Sequence, residues 1–163
     1  MFKKNYRVNL TSNKIDINSI YNKMQNQLRI RANLQVKYDN LWDVIKRNHC
    51  DRHYEMQDLN SKIGKCTNEL NKLIGQLCKY KKTHRAMNLA YSYIESEMER
   101  INRIIEHQNR VIYDVNHGYR TLINSYGHEH TNTSDLRNYV NYKMQQYNKL
   151  NNWKQYVARY RVS

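Results

Sequence analysis

A seven-residue apolar repeat runs along most of this chain and constrains its fold more than any other feature. It is most regular in MQDLNSKIGKCTNELNKLIGQLCKY, residues 56–80, where apolar side chains recur at alternating steps of three and four. The same register extends from Ile17 to Tyr126, over sixteen heptads. About three or four heptads already indicate coiled-coil-like packing. The repeat therefore predicts an all-α protein built from long helices.

The most regular positions of this repeat define a predicted helix-packing stripe. Its members are Met56, Leu59, Ile63, Cys66, Leu70, Leu73, Leu77, Tyr80, Ile94, Met98, Ile101, Ile105 and Ile112. Composition agrees with long helices that have narrow contact faces, because proline is absent, glycine occurs 4 times and hydrophobic residues make up only 39%. We predict an elongated helical bundle or a coiled-coil-like hairpin of long helices.

The positions that flank the stripe bear on the number of helices that pack together. In a two-stranded coiled coil these flanking positions carry opposite charges that select the partner. Here several of them are apolar, including Ile20, Leu34, Leu41 and Ile74. A wider apolar face packs against two neighbours, so a multi-helix bundle or a multi-chain oligomer is favoured over a dimeric zipper.

Polar interruptions suggest where the helical region bends. His49 with Arg52, and His84, occupy stripe positions and indicate turns near 46–54 and 81–86, although polar layers within one continuous rod would give the same pattern. These features divide the chain into a basic flexible arm at 1–12, a heptad-patterned helical region at 13–126 and a basic, tyrosine-rich helix at 134–160. The segment SYGHEHTNTSD separates the last two, since it joins glycine to a run of small polar residues that can cap a helix.

The chain is strongly basic, with a formal net charge of +14. Such a charge favours polyanionic partners, and nucleic acid, an acidic protein surface and an anionic membrane all fit. The three cysteines lack the spacing of a disulfide framework, so we expect a reducing compartment, either the cytoplasm or nucleus or the inside of a virion. The basic start has some likeness to a mitochondrial presequence, but a flexible arm is favoured over import. No apolar run is long enough to span a bilayer.

Catalytic patterns are missing from the sequence. It contains no phosphate-binding loop and no HExxH pair. His49, Cys50 and His53 form the best metal candidate, but a closed zinc site needs four ligands and no second pair has matching spacing. A polar turn explains the cluster better. We therefore predict a non-enzymatic protein without catalytic residues, cofactor, metal or small-molecule substrate.

The C-terminal segment combines basic and aromatic residues on a helical pattern. Its predicted contact residues are Arg137, Tyr142, Lys143, Lys149, Trp153, Lys154, Tyr160 and Arg161. Lysines interleaved with aromatic rings suit docking onto a protein partner, and they also suit phosphate neutralisation with base stacking. Membrane-surface helices have a cleaner apolar face, so a membrane is the least favoured partner.

These observations predict a structural or assembly protein, an α-helical subunit of a larger complex that associates with itself or with other helical subunits. Its basic, aromatic ends would dock to an acidic surface. The alternative is a nucleic-acid-binding or packaging protein that uses the C-terminal helix. A viral particle is one such complex, and this expectation rests only on the asparagine-rich composition typical of AT-rich genomes.

Overall fold

A computed structural model describes residues 16–163 and confirms the all-α class. Its elements are α1 (Ile17–Asn48), α2 (His53–Leu77), α3 (Arg85–Asn116), β1 (Leu122–Ile123), β2 (Glu129–His130) and α4 (Ser134–Ala158). The predicted arm at 1–12 and the first residues of the predicted helical region, 13–15, lie outside the described residues. Within the described part, no helix is both long and apolar enough to cross a membrane.

The chain divides into two compact units, which are described separately. The first unit contains residues up to Leu89 together with the C-terminal residues 160–163, and the second contains residues 90–159. Helix α3 contributes its first turn to the first unit and the rest of its length to the second.

The first unit is built on a hairpin of α1 and α2. Residues 49–52 connect the two helices, and His49 ends α1 in the left-handed conformation, with φ 49°. The helices are antiparallel, because Trp42 and Met56 border one cavity near the turn while Tyr38 and Asn60 border it farther away. The fully buried side chains of this unit lie at the end of the hairpin away from the turn: Ile20, Met24, Leu70, Ile74, Leu77 and Met87.

The connection from α2 to α3, residues 78–84, is held at its end by His84. The backbone N–H of Ala86 donates to His84 Nδ1 over 2.9 Å, which satisfies one of the unpaired donors at the start of α3. The backbone N–H of His84 donates to the backbone carbonyl of Tyr160 over 3.1 Å. Residues 160–163, which we call the C-terminal strap, therefore lie beside the start of α3.

The side chain of Asn88 fixes the strap at a second point. Its Nδ2 donates to the Val162 carbonyl over 2.9 Å, and the Val162 N–H donates to Asn88 Oδ1 over 2.7 Å. This reciprocal pair copies the hydrogen bonding between neighbouring strands. The predicted helix 134–160 is therefore shorter in the structure, because α4 ends at Ala158 and the strap bonds to α3 instead.

In the second unit, α3 ends ten residues before the heptad register does. Gly118 has φ 75°, the Tyr119 N–H donates to the Asp114 carbonyl over 2.8 Å, and the Gly118 N–H donates to the Val115 carbonyl over 3.2 Å. This is a Schellman motif, in which a left-handed glycine closes the helix. The predicted helical region at 13–126 is thus wrong over residues 117–126, because a local backbone signal overrides the apolar periodicity.

A short β-hairpin follows. Strands β1 and β2 pair antiparallel, with Leu122 opposite His130 and Ile123 opposite Glu129. Residues 124–128 connect the strands, and the backbone N–H of Asn124 donates to the His128 carbonyl over 2.9 Å, which leaves a three-residue loop, 125–127. This loop ends in Gly127, with φ 78°, as three-residue hairpin loops usually do. The Asn124 side chain accepts the Tyr126 and His128 N–H groups at 2.9 and 3.0 Å, which satisfies two backbone donors of the loop.

Candidate interaction surfaces

The predicted packing stripe is buried along only part of its length. The buried members are Met56, Cys66, Leu70, Leu73, Leu77, Ile94, Met98 and Ile101. The half-buried members are Leu59, Ile63, Tyr80, Ile105 and Ile112. Tyr80 lies beyond α2, in the connection to α3. The stripe is most continuous from Cys66 to Leu77, where the first unit has its core.

The turn end of the α1–α2 hairpin exposes apolar side chains that the predicted stripe does not contain. Val36 is 58% exposed, Trp42 46%, Val44 37% and Tyr54 87%. We call these four residues the apolar tip. Val36 and Val44 fall outside the heptad register, so a search confined to that register misses them. Their sequence signal is the presence of β-branched apolar residues on more than one face of α1.

Two grooves lie beside the apolar tip, one on each side of the hairpin. The first has a volume of about 300 Å³ and is bordered by Tyr38, Trp42 and Ile45 of α1 and by Met56 of α2. The second has a volume of about 480 Å³ and is bordered by Val44 on one helix and Leu59 on the other. Near the turn the two helices therefore leave apolar surface uncovered.

Polar side chains at the turn line part of the first groove. Asp51 accepts the His53 N–H over 3.2 Å, the His53 ring lies 3.0 Å from Gln57 Nε2, and Arg52 Nε donates to Glu55 over 3.0 Å. Cys50 also borders this groove. Among residues 16–163, no three His, Cys, Asp or Glu side chains are grouped so that they could hold a metal ion. The cluster forms the turn and its capping interactions.

Several predicted contact residues of α4 make contacts within the second unit. Lys154 Nζ lies 3.9 Å from a Glu95 carboxylate oxygen and 5.4 Å from the centre of the Tyr91 ring. Arg137 Nε donates to Thr133 Oγ1 over 3.1 Å. Lys154 and Arg137 therefore already interact with neighbouring side chains, and they are less available to bind a partner.

Lys143 belongs to a charged layer between α3 and α4. Glu97 is buried, and Arg100 donates to both of its carboxylate oxygens, at 3.1 and 2.9 Å. Burial lowers the pKa of Lys143 and the Arg100 charge lowers it further, while Glu97 opposes this change. The Lys143 ammonium lies 5.4 Å from the Tyr139 ring centre. Arg100 thus pairs with the buried carboxylate, and Lys143 lies close enough for both charges to affect its pKa.

The remaining predicted contact residues differ in exposure. Tyr142 is exposed, and Lys149 Nζ lies 4.9 Å from the centre of the half-buried Trp153 ring. Such a position over the ring is a cation–π contact. Tyr160 and Arg161 lie in the C-terminal strap of the first unit and not on α4. The eight predicted contact residues therefore do not form one continuous surface on one helix.

The β-hairpin and the end of α3 expose further aromatic rings. The rings of Tyr113 and His117 stack with 3.9 Å between their centres, and the His117 and Tyr119 planes are nearly parallel at 6.4 Å. Tyr126, at the hairpin loop, is 83% exposed. The heptad register predicts Tyr119 and Tyr126 on a helix, but Gly118 closes α3, so Tyr119 follows the helix and Tyr126 lies in the hairpin loop.

The sequence matches no family model, and no curated protein or solved structure is significantly similar to it. A functional hypothesis for this chain therefore rests on the surfaces described above. The apolar tip with its two grooves, and the basic and aromatic side chains of α4, are the two features that such a hypothesis can use.

Proposed function

We propose that this protein is a non-enzymatic helical subunit of a larger assembly, which associates through the apolar tip of the α1–α2 hairpin. The observation that carries the proposal is the exposure of Val36, Trp42, Val44 and Tyr54. Trp42 and Val44 each border a groove whose walls combine apolar and charged side chains. Further helical chains, first of all other copies of this chain, are the expected partners. A viral particle or another large complex with acidic surfaces for the basic ends remains the wider prediction.

The energetics favour contact over the whole tip. A large apolar side chain contributes about 1.5–3 kcal/mol when it moves from water to full burial. Association costs about 4–15 kcal/mol in lost translational and rotational freedom. One exposed residue is therefore insufficient. The four residues are already partly buried and reach only the lower end of this cost, so the contact must include the groove walls as well.

Sedimentation equilibrium over a wide concentration range tests this proposal. We expect a concentration-dependent oligomer for the wild type and an association constant at least about tenfold lower for the double variant Trp42→Gln, Val44→Thr, since tenfold corresponds to about 1.4 kcal/mol. Both residues are partly exposed, so the hairpin should tolerate the changes. The matched control is Tyr113→Gln with Ile123→Thr, two exposed positions of the second unit.

The control should leave the oligomer unchanged. A wild-type chain that stays monomeric at every concentration would overturn self-association through the tip. Equal weakening in the tip variant and in the control would show that the tip is not the contact surface.

A second candidate function is nucleic-acid binding through α4. The pair of Lys149 and Trp153, together with exposed Tyr142, favours it, because cations and rings on one helix can bind phosphates and stack on bases. Lys149→Gln should then lower the slope of log affinity against log salt by about one phosphate contact, whereas Lys154→Gln should change it less because Glu95 already pairs with Lys154. Equal slopes for both variants and the wild type would exclude this surface.

A further inference from the structure

The structure brings together two basic segments that are far apart in the sequence. The connection between α2 and α3 carries Lys79, Lys81 and Lys82, and Arg85 is the first residue of α3. The C-terminal strap carries Arg161. The bonds from His84 to Tyr160 and from Asn88 to Val162 hold the strap beside this connection. We call these five cations the cationic patch.

Acidic residues are missing from both segments. The sequence contains no aspartate or glutamate between Glu69 and Glu95, and none after Asp135. In the described residues, no carboxylate forms an ion pair with any of the three lysines of the patch. The three lysines therefore carry positive charge that no aspartate or glutamate of these two segments neutralises.

Packing fixes part of this charge in place. The Arg85 guanidinium lies 4.4 Å from the centre of the Tyr21 ring, a cation–π contact that orients it. All three lysines are exposed, so their ammonium groups remain hydrated and accessible. Burial lowers the pKa of His84, and the charges of Lys82 and Arg85 lower it further, while the Asp16 carboxylate opposes this change.

We propose that the cationic patch binds the phosphodiester backbone of nucleic acid without reading its sequence. Exposed lysines and arginines on neighbouring segments are the groups that displace counterions from a phosphate backbone. An anionic membrane fits less well, because interfacial binding needs a broad apolar face around the cations. Here the strap exposes one apolar side chain, Val162, and the connection carries Thr83 and half-buried Tyr80. This binding surface goes beyond the assembly function and does not depend on it.

Fluorescence anisotropy with a labelled 20-base-pair DNA duplex, measured on the full chain at several salt concentrations, tests the proposal. In the triple variant Lys79→Gln, Lys81→Gln, Lys82→Gln, we expect the affinity at about 0.1 M salt to fall at least about tenfold and the salt slope to fall by about two to three. The matched control is Lys62→Gln, Lys65→Gln, Lys72→Gln on α2, which removes the same charge from other exposed positions. Circular dichroism confirms that both variants are folded.

The outcomes separate the alternatives. A control that keeps wild-type affinity and slope supports the patch. Equal losses in the two triple variants would overturn it, because net charge alone would then explain the binding. A loss of affinity found only with Lys149→Gln would assign the binding to α4. Binding to phosphatidylserine vesicles without binding to the duplex would assign the patch to a membrane. Either result overturns the proposal.

Discussion

His84 Nε2 donates a hydrogen bond to Asn18 Oδ1 over 2.8 Å, and this bond joins the start of α3 to the start of α1. The other ring nitrogen, Nδ1, accepts the Ala86 N–H. A neutral imidazole has one donor and one acceptor nitrogen, so both bonds are satisfied only when His84 is uncharged. Burial lowers the pKa of His84, and the charges of Lys82 and Arg85 lower it further, while Asp16 opposes them.

This arrangement predicts a loss of stability in acid. The ordinary pKa is 6.5 and the folded value is lower, so the unfolded chain binds more protons as the pH falls through 6.5. The free energy of unfolding therefore decreases with falling pH in that window. Urea unfolding at pH 7.5, 6.5 and 5.5 measures this decrease in the free energy of unfolding.

A variant at His84 tests whether this residue is the cause. His84→Asn, which keeps a capping oxygen but cannot titrate, should show a weaker pH dependence than the wild type, whereas exposed His128→Asn should not. Identical pH dependence in all three proteins would contradict the role of His84.

Two glycines should respond to alanine in opposite directions. Gly118 has φ 75° in the cap of α3, so Gly118→Ala should destabilise the protein by about 1 kcal/mol through backbone strain. Gly64 lies inside α2, and a Cβ there would meet no atom within 4 Å. Gly64→Ala should therefore stabilise by about 0.5–1 kcal/mol. Denaturant melts give both values, and changes of the same sign would argue against the cap.

The Cys78 thiol should react slowly with alkylating reagents. Burial raises its pKa to about 11, and the thiolate is the reactive form. At pH 8 we expect iodoacetamide to modify Cys78 much more slowly in the folded protein than in urea, as followed by peptide mass spectrometry. Equal rates in both conditions would show that the thiol is neither buried nor shifted.

The two glutamate–arginine pairs of α3 should differ in strength. Glu97 is 4% exposed and pairs with Arg100, so Glu97→Gln should cost about 1–3 kcal/mol, less than for a fully buried pair because Arg100 is 46% exposed. Glu99 pairs with Arg103 at the surface, where both are more than 60% exposed. Glu99→Gln should cost under about 1 kcal/mol. Equal costs in thermal unfolding would mean that the Glu97 layer is hydrated.

The sequence by itself determined the all-α class and the helical face to which the stripe residues belong. Both follow from periodicity, which is a local property: side chains three and four residues apart share one face of a helix whatever that face contacts. The same local reasoning explains the residues it misplaced. Tyr119 and Tyr126 match the heptad spacing, but Gly118 ends α3 before them.

Only the tertiary structure decided which side chains meet across long sequence separations. The heptad spacing cannot show that Asn88 holds Val162, that Glu95 pairs with Lys154, or that the basic connection after α2 lies beside the C-terminal strap. It also cannot show that the turn end of the hairpin leaves Trp42 and Val44 uncovered. The physical reason is that periodicity identifies which face of each helix is apolar. The element that packs against that face depends on the direction in which the loops lead the chain.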